Sequence, residues 1–166
     1  MHGWLFAFCR WVENTPLAVS ILESSWAYPY VQLTHFTGLS LWVGTNVYLD
    51  LRLMGVGKKR QTAAQLGEEL FTWNWIGFCI AITGGFLLFS IAAMTYYRNP
   101  AFRTKLGILI PIGIVLHIVV QRKARIWGQT DNVPAIGKLA GLIEFLLWLS
   151  VVTAAVLIPY FSADPS

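Results

Sequence analysis

The chain has 166 residues, of which 56% are hydrophobic and only 12% charged, and its formal net charge is +4. Soluble domains carry about 25% charged residues, so this composition excludes an ordinary soluble domain and indicates an integral membrane protein. The basic residues are spread over the segments between apolar stretches. This distribution is typical of membrane orientation signals and excludes a nucleic-acid-binding surface.

The first 25 residues predict an amphipathic segment that lies in the membrane interface. Gly3–Val12 and Pro16–Glu23 are short apolar pieces interrupted by polar residues. Thr15 followed by Pro16 is typical of a helix start, because a hydroxyl caps the first turn and proline suits the first helical position. The segment lacks the basic start and the small-residue cleavage site of a signal peptide.

Four apolar stretches follow, each near the length of about 20 residues that a helix needs to cross a bilayer. The predicted spans are residues 28–50, 71–97, 105–122 and 138–161. They predict an all-α, integral membrane four-helix bundle in which residues 1–166 form a single membrane domain. Residues 55–69 are expected to form a loop with a short helical turn, residues 98–100 a tight turn, and Pro111 a kink in the third span.

The positive-inside rule predicts the orientation of this bundle. Eight of the 12 lysines and arginines follow the first or third span, and the other four lie on the opposite side. Both termini are therefore expected outside.

Small residues four apart, as in Ser40/Gly44, Ala81/Gly85 and Gly137/Gly141, let helix backbones approach closely. Since four short helices enclose little interior, we expect these faces to support a homo-oligomer.

Two histidines lie inside apolar stretches: His35 in the first span and His117 in the third. Ionisable groups at membrane depth normally face a partner, a cofactor or a proton path. Gly38 and Gly113 each lie about one turn from a histidine, and a glycine there leaves room for a planar porphyrin on an axial imidazole. Trp42 is deep enough to pack against such a ring. The pattern predicts haem b with both histidines as iron ligands; the alternative is a hydrogen bond from each histidine to a neighbouring helix.

The two histidines are expected at different depths. Helical rise puts His35 about 22 Å from Asp50 and His117 about 7 Å from Arg122. If those boundary residues are level, the imidazoles differ in height by roughly 15 Å, unless tilt or a kink reduces the difference. One haem between both histidines is then hard to build. Two haems per chain, each completed by a symmetric copy or another residue, fit better.

Glu144 is the acidic residue well inside the fourth span, near the level of His117. It predicts a proton relay with His117 or a carboxylate that orients a ligating imidazole, and a buried ion pair or a protonated acid is the alternative. Asp50 and Arg52 are interpreted as anchors of the inner end of the first span. A copper site is less well supported, because isolated histidines on different helices give no ligand spacing.

Residues 35–55 resemble the first helix of small bacterial membrane proteins of the copper-resistance D-like and HemJ-like kind. The likeness rests on His35, Gly38, Trp42 and Gly44, with Arg52 ten residues past the tryptophan. Most of the chain also resembles an uncharacterised bacterial four-span family. That likeness is carried by Thr15–Ala18, Ser25–Pro29, His35, Asp50–Leu53, Asn99, Pro100, Lys105, His117 and Trp148.

The resemblance implies haem b held by membrane histidines in the cytoplasmic (inner) membrane of a bacterium, without implying a reaction. Two departures are Glu144, where a small residue is expected, and Val156, where an arginine is common.

The first function hypothesis is a b-type cytochrome that passes electrons to or from an unidentified partner, such as a quinone. The second is a quinol- or porphyrin-linked oxidoreductase in which Glu144 and His117 handle protons. The third is non-catalytic: an oligomeric membrane scaffold or a copper-handling protein.

Overall fold

The computed structural model describes residues 3–57 and 60–162, and within these ranges the chain is helical with no strand. The helices are α1 (Gly3–Glu13), α2 (Pro16–Glu23), α3 (Ala27–Leu53), α4 (Ala63–Ile91), α5 (Ala93–Arg98), α6 (Pro100–Thr104), α7 (Ile110–Trp127) and α8 (Ala135–Ser162). A π-helical turn, Lys105–Leu109, joins α6 to α7. Residues 100–127 therefore form one continuous helical stretch.

Four long helical stretches pack as an antiparallel bundle: α3, α4, the stretch 100–127, and α8. The start of α3 lies against the end of α4, where an added Cβ on Gly84 would come 2.8 Å from the Cα of His35. At the opposite end Gly67 lies near Leu49. We call that end, which carries the connections 54–62 and 128–134, the loop end.

Three helices in the described ranges are long and apolar enough to cross a membrane: residues 63–91, 100–127 and 135–161. α3 has 27 residues but is not one of these three, because it carries several polar side chains along its length. Large apolar side chains such as Phe36, Phe86 and Leu149 are exposed on the outside of the bundle. The outer surface is therefore the apolar one, as expected for helices in contact with lipid.

The helix that contains most of the second predicted span, residues 71–97, has different bounds from that span. Thr62 forms a capping box with Gln65, so α4 begins at Ala63 and the predicted loop ends several residues before residue 69. α4 then ends at Ile91, because Ala92 leaves the helical region (φ −143°, ψ 41°). Residues 93–97 belong to the separate helix α5.

The irregularity expected at Pro111 takes the form of the π-helical turn that precedes it. Proline lacks an N–H and its ring crowds the preceding helical turn. In the structure Pro111 lies in the first turn of α7, and the N–H of Ile110 reaches back to the carbonyl of Lys105. A widened turn of this kind accommodates the ring without ending the helix.

The N-terminal segment forms two helices, and the helix start predicted at Thr15 is confirmed. The Thr15 hydroxyl accepts a hydrogen bond from the N–H of Ala18 at 3.3 Å, and proline follows at the first helical position. α1 packs against α5 through Cys9 and Ala93. Glu13 fixes this contact, because its carboxylate accepts a hydrogen bond from the N–H of Met94 at 2.9 Å.

Candidate functional site

A group of polar side chains lies in the core of the bundle, contributed by all four long helical stretches. We call it the polar cluster: Asn46 and Asp50 from α3, Asn74 from α4, His117 from α7 and Glu144 from α8. Each of these residues is at most 2% exposed. Because an unpaired polar group in an apolar core is destabilising, such side chains must satisfy one another.

His117 lies at the centre of the polar cluster with both ring nitrogens engaged. Its Nδ1 is 2.5 Å from Oε1 of Glu144, and its Nε2 is 2.9 Å from Oδ1 of Asn74. An amide oxygen only accepts, so Nε2 carries a hydrogen and donates it to Asn74. The Nδ1–Oε1 hydrogen bond holds a second proton. Trp148 donates to the same glutamate oxygen from its Nε1 at 3.2 Å.

Asn74 connects His117 to the other helices. Its Nδ2 donates to Oδ1 of Asn46 and to the hydroxyl of Thr45, the latter at 2.9 Å. Its Oδ1 also accepts from Nε2 of Gln121 at 3.3 Å, and Gln121 in turn accepts from Nε1 of Trp75 at 3.2 Å. The hydrogen bonds therefore run continuously from Glu144 in the core to Gln121 and Trp75.

Gln121 and Trp75 line a groove of about 300 Å³ between α4 and α7 near the loop end. The groove is mainly apolar and aromatic, with Phe71 on one wall. Arg122 and Arg125 border it, and the guanidinium of Arg125 lies 5.8 Å from the centre of the Phe71 ring. A surface groove with aromatic walls and two cations is thus linked by hydrogen bonds to His117.

Asp50 and Arg52, both expected to be anchors, differ in their roles. Arg52 is 4% exposed; it donates to Oδ1 of Asp131 at 2.7 Å and to the carbonyl of Gln61 at 2.6 and 2.8 Å. It therefore ties α3 to both connections of the loop end. Asp50 is instead 1% exposed and lies where α8 approaches α3 at Gly141, so Asp50 belongs to the polar cluster.

His35 lies apart from this cluster, about three helical turns, or roughly 16 Å, before Asn46 on α3. Its Nδ1 is 2.7 Å from the carbonyl oxygen of Ala81 on α4. Because a carbonyl only accepts, Nδ1 carries the hydrogen and Nε2 keeps its lone pair. The side chain is half-buried, and its Nε2 makes no hydrogen bond within residues 3–57 and 60–162. The two histidines therefore do not converge on one point.

The other predicted site residues lie in tightly packed contacts. The space beside Gly38 is filled by the Ala81 backbone, and an added Cβ on Gly113 would come 3.1 Å from the Trp148 ring. Trp42 meets that same ring edge to face, with ring centres 4.4 Å apart. Protein atoms therefore occupy the room predicted at Gly38 for a porphyrin on His35 and at Gly113 for one on His117.

Sequence reasoning missed Asn74 and Gln121 as members of the hydrogen-bonded chain. Asn74 lies in an apolar stretch between two tryptophans, and a polar side chain at membrane depth normally faces a partner. That signal was present, but it does not identify which helix supplies the partner. No group of three histidine, cysteine, aspartate or glutamate side chains that could hold a metal ion occurs within the described part of the chain.

Three helices able to span a bilayer, around a core of ionisable side chains, have the features of a multi-pass membrane protein. Residues 8–161 match the family model DUF6644, a family of unknown function, and the chain belongs to that family. No curated protein and no solved structure matches the chain. These comparisons give no similarity to the copper-resistance D-like or HemJ-like proteins.

Proposed function

We propose that this protein is a four-span protein of the bacterial cytoplasmic membrane that binds b-type haem through His35 and transfers electrons. α3 is the fourth span in this proposal. It is as long as the other three helical stretches and packs beside α4 at both ends. Its polar residues Asn46 and Asp50 face the bundle interior, where polar side chains are tolerated within a membrane.

The observation that carries the haem proposal is the hydrogen bonding of His35. Imidazoles that ligate metals commonly donate one ring N–H to a carbonyl, which fixes the ring and leaves the other nitrogen available. His35 has this arrangement, with Nδ1 bound to the Ala81 carbonyl at 2.7 Å. Its Nε2 is the nitrogen that would meet the iron.

The surroundings of His35 fit a haem better than a bare metal ion. A porphyrin supplies four nitrogen ligands itself, so one imidazole per chain suffices, whereas a bare ion needs several protein ligands. Gly85 is next to the ring, and a Cβ there would come 3.0 Å from Cε1. Lys105, in the π-helical turn before α7, would balance a haem propionate. When bound, the haem would supply one-electron chemistry.

His117 fits this group less well, because both of its ring nitrogens are already hydrogen-bonded. Ligation there would break the bond to Asn74 and displace Trp148 from Gly113. We therefore limit the proposal to one haem per chain at His35. A second copy of the chain in a homo-oligomer, or another residue, would complete the coordination of the haem.

Absorbance spectra of the protein purified from haem-replete cells test this proposal. We expect a Soret band that shifts on reduction, that is lost in His35→Ala and that persists in His117→Gln. The second variant is the matched control, because it changes a membrane histidine outside the proposed haem site. A wild-type protein without a Soret band, or a His35→Ala protein with an unchanged one, would refute haem binding at His35.

The groove between α4 and α7 favours a second candidate, a quinol-linked oxidoreductase. Quinol oxidation releases two protons and two electrons, so a quinol site needs a proton acceptor within reach. Gln121 in the groove wall is connected through Asn74 to His117 and Glu144. The aromatic walls and Arg122 would hold a head group with an apolar ring and polar oxygens. In this candidate a haem held by His35 would supply one-electron chemistry, so each quinol would need two such haems, one from each of two chains.

Steady-state oxidation of a short-chain quinol distinguishes this candidate from a passive electron carrier. Glu144→Gln is expected to slow turnover by about 10²-fold or more, the usual effect of losing a general acid–base group, and to leave the haem spectrum unchanged. Glu68→Gln is the control, since Glu68 is exposed on α4. Equal turnover in both variants, or none in wild type, would reject the quinol-linked activity. Protoporphyrinogen in place of quinol tests the porphyrin-linked alternative.

A further inference from the structure

Four buried polar atoms in or beside the polar cluster are unpaired. They are the Nε1 of Trp42, the Nδ2 of Asn46, the Oδ2 of Asp50 and the Oε2 of Glu144, and none has a hydrogen-bond partner within residues 3–57 and 60–162. The first three residues are spaced four apart on α3, so they share one face of that helix. Each of the four residues is at most 4% exposed. Three unpaired atoms therefore follow one face of α3, and the fourth belongs to α8.

Two of these atoms belong to carboxyl groups on facing helices. The Oδ2 of Asp50 and the Oε2 of Glu144 meet no hydrogen-bond donor among the described residues, and both residues are 1% exposed. Two ionised carboxylates only accept hydrogen bonds and repel each other, so neighbouring buried carboxyls without donors require a proton on one of them. α8 comes this close because Gly141, one turn before Glu144, leaves room: an added Cβ there would come 3.0 Å from the carbonyl oxygen of Asp50.

The hydrogen bonds of Glu144 indicate which carboxyl holds the proton. Its Oε1 already faces two N–H groups, from His117 at 2.5 Å and from Trp148 at 3.2 Å. Both contacts stabilise negative charge on Glu144. Asp50 has no such donor among the described residues. The proton between the two carboxyls therefore belongs on Asp50.

The groups around the pair agree with this assignment. α4 contributes the neutral Asn74, and α7 contributes His117, which is hydrogen-bonded to Glu144. Arg52 is the next cation on α3. Its Nη2 is paired with Asp131 at 2.7 Å and its buried Nη1 has no partner among the described residues, so Arg52 forms no hydrogen bond with Asp50. A second ionised carboxylate would therefore add an unbalanced negative charge to the core.

We propose that Asp50 and Glu144 form a binding site for one exchangeable proton next to His117. A metal ion would need acceptors only, whereas the indole N–H of Trp42 and the amide N–H of Asn46, on the same face of α3 as Asp50, are donors. The proposal does not depend on haem binding.

Infrared spectroscopy of the full-length protein in lipid tests the site at neutral pH. We expect a carbonyl stretching band of a protonated carboxylic acid that shifts in D₂O. We also expect the band to shift when the aspartates carry ¹³C carboxyls, a measurement that needs no variant and so avoids any failure to fold. Asp50→Asn should lose the band completely, and Glu68→Gln, which changes an exposed carboxyl on α4, should keep it.

Three results would overturn this assignment. The first is the absence of a protonated-carboxyl band at neutral pH. The second is a band whose position does not shift when the aspartates carry ¹³C. The third is a band that is still present in Asp50→Asn. Loss of the band on adding sodium chloride, but not choline chloride, would assign the site to a metal cation instead. Because the band arises from a side chain, its presence or absence is independent of the Soret band that tests haem binding.

Discussion

His35 and His117 differ in what their second ring nitrogen meets. Both donate one N–H to an oxygen on a neighbouring helix, the Ala81 carbonyl and the Asn74 amide respectively. The second nitrogen of His117 meets Glu144, whereas that of His35 has no partner within the described ranges. One histidine therefore uses both ring nitrogens in the polar cluster, whereas the other keeps one ring nitrogen without a hydrogen bond to the described residues.

Asn74→Ala is expected to destabilise the protein by about 1–3 kcal/mol, the usual effect of leaving buried polar groups unpaired. The substitution removes the acceptor of His117 and of Gln121 and the donor to Asn46. Thermal unfolding in detergent measures the effect. Asn14→Ala is the control, because Asn14 is exposed apart from one bond to its own helix, and a change within about 0.5 kcal/mol is expected there. Equal effects of the two substitutions would mean that the polar cluster adds nothing to stability.

Single residues in the sequence predicted part of this chemistry. The spacing from the helix ends placed His117 and Glu144 at one depth, and they do form a hydrogen bond. Depth alone did not predict that the Nε2 of His117 would be hydrogen-bonded to Asn74, because that contact depends on how α4 is rotated about its own axis. Nor did it predict that Asp50 would turn inward, since an acidic residue near a helix end is compatible with either environment.

Close contact between α3 and α4 depends on small residues at the crossing. An added Cβ on Gly77 would come 2.7 Å from the backbone nitrogen of Trp42, and one on Gly38 would meet the Ala81 backbone. Backbone atoms cannot rotate away as a side chain can. The same approach brings the Ala81 carbonyl within hydrogen-bonding distance of His35.

Gly38→Ala is expected to force α3 and α4 apart and to destabilise the protein by about 1–3 kcal/mol, as overpacking does. Gly44→Ala is the matched control on the same helix, because an added Cβ there meets nothing within 4 Å. Alanine favours helix more than glycine does, so that control should be neutral or up to about 1 kcal/mol more stable. Thermal unfolding of both variants in one detergent measures the difference. Gly38→Ala with wild-type stability would contradict the packing described for α3 and α4.

The elements themselves were predictable where local signals were strong. Thr15 and Pro16 marked the start of α2, and Asn99 with Pro100 marked a turn, since Asn99 caps α6. The start of α4 was not predicted, because its first turns carry polar residues that resemble a loop. The capping box of Thr62 and Gln65 is the signal that defines this start.

The number of membrane crossings is a property of the whole molecule, and it depends on α3. If α3 spans the bilayer, Asn14 and Gln129 lie on opposite sides. In the background Cys79→Ser, we expect a membrane-impermeant maleimide to label Asn14→Cys in intact cells and Gln129→Cys only after permeabilisation. Cys9 should remain unlabelled, because it is 2% exposed and burial, followed by the nearby Glu13 charge, raises the pKa of its thiol.

Labelling of both positions from the same side would mean that α3 does not cross, and the four-span proposal would fail.

Composition predicted a helical membrane protein, and three helices with the required length and apolarity agree with it. The polar residues of α3 make its hydropathy ambiguous, because a helix that carries a site has to carry the polar groups of that site. Sequence therefore leaves open whether α3, which carries His35, Asn46 and Asp50, crosses the membrane.

The π-helical turn at Lys105–Leu109 determines where the third long helix can tolerate a change in length. Such a turn holds one residue more than an α-helical turn, so deleting one residue within it yields an ordinary helix with the following residues still correctly rotated. A deletion further along, at Val115, would turn His117 by about 100° away from Glu144. Removing Ile108 should thus give a folded protein, and removing Val115 an aggregated one, as judged by gel filtration. The π-helical turn is therefore the position where this helix can lose one residue and still keep His117 in contact with Glu144.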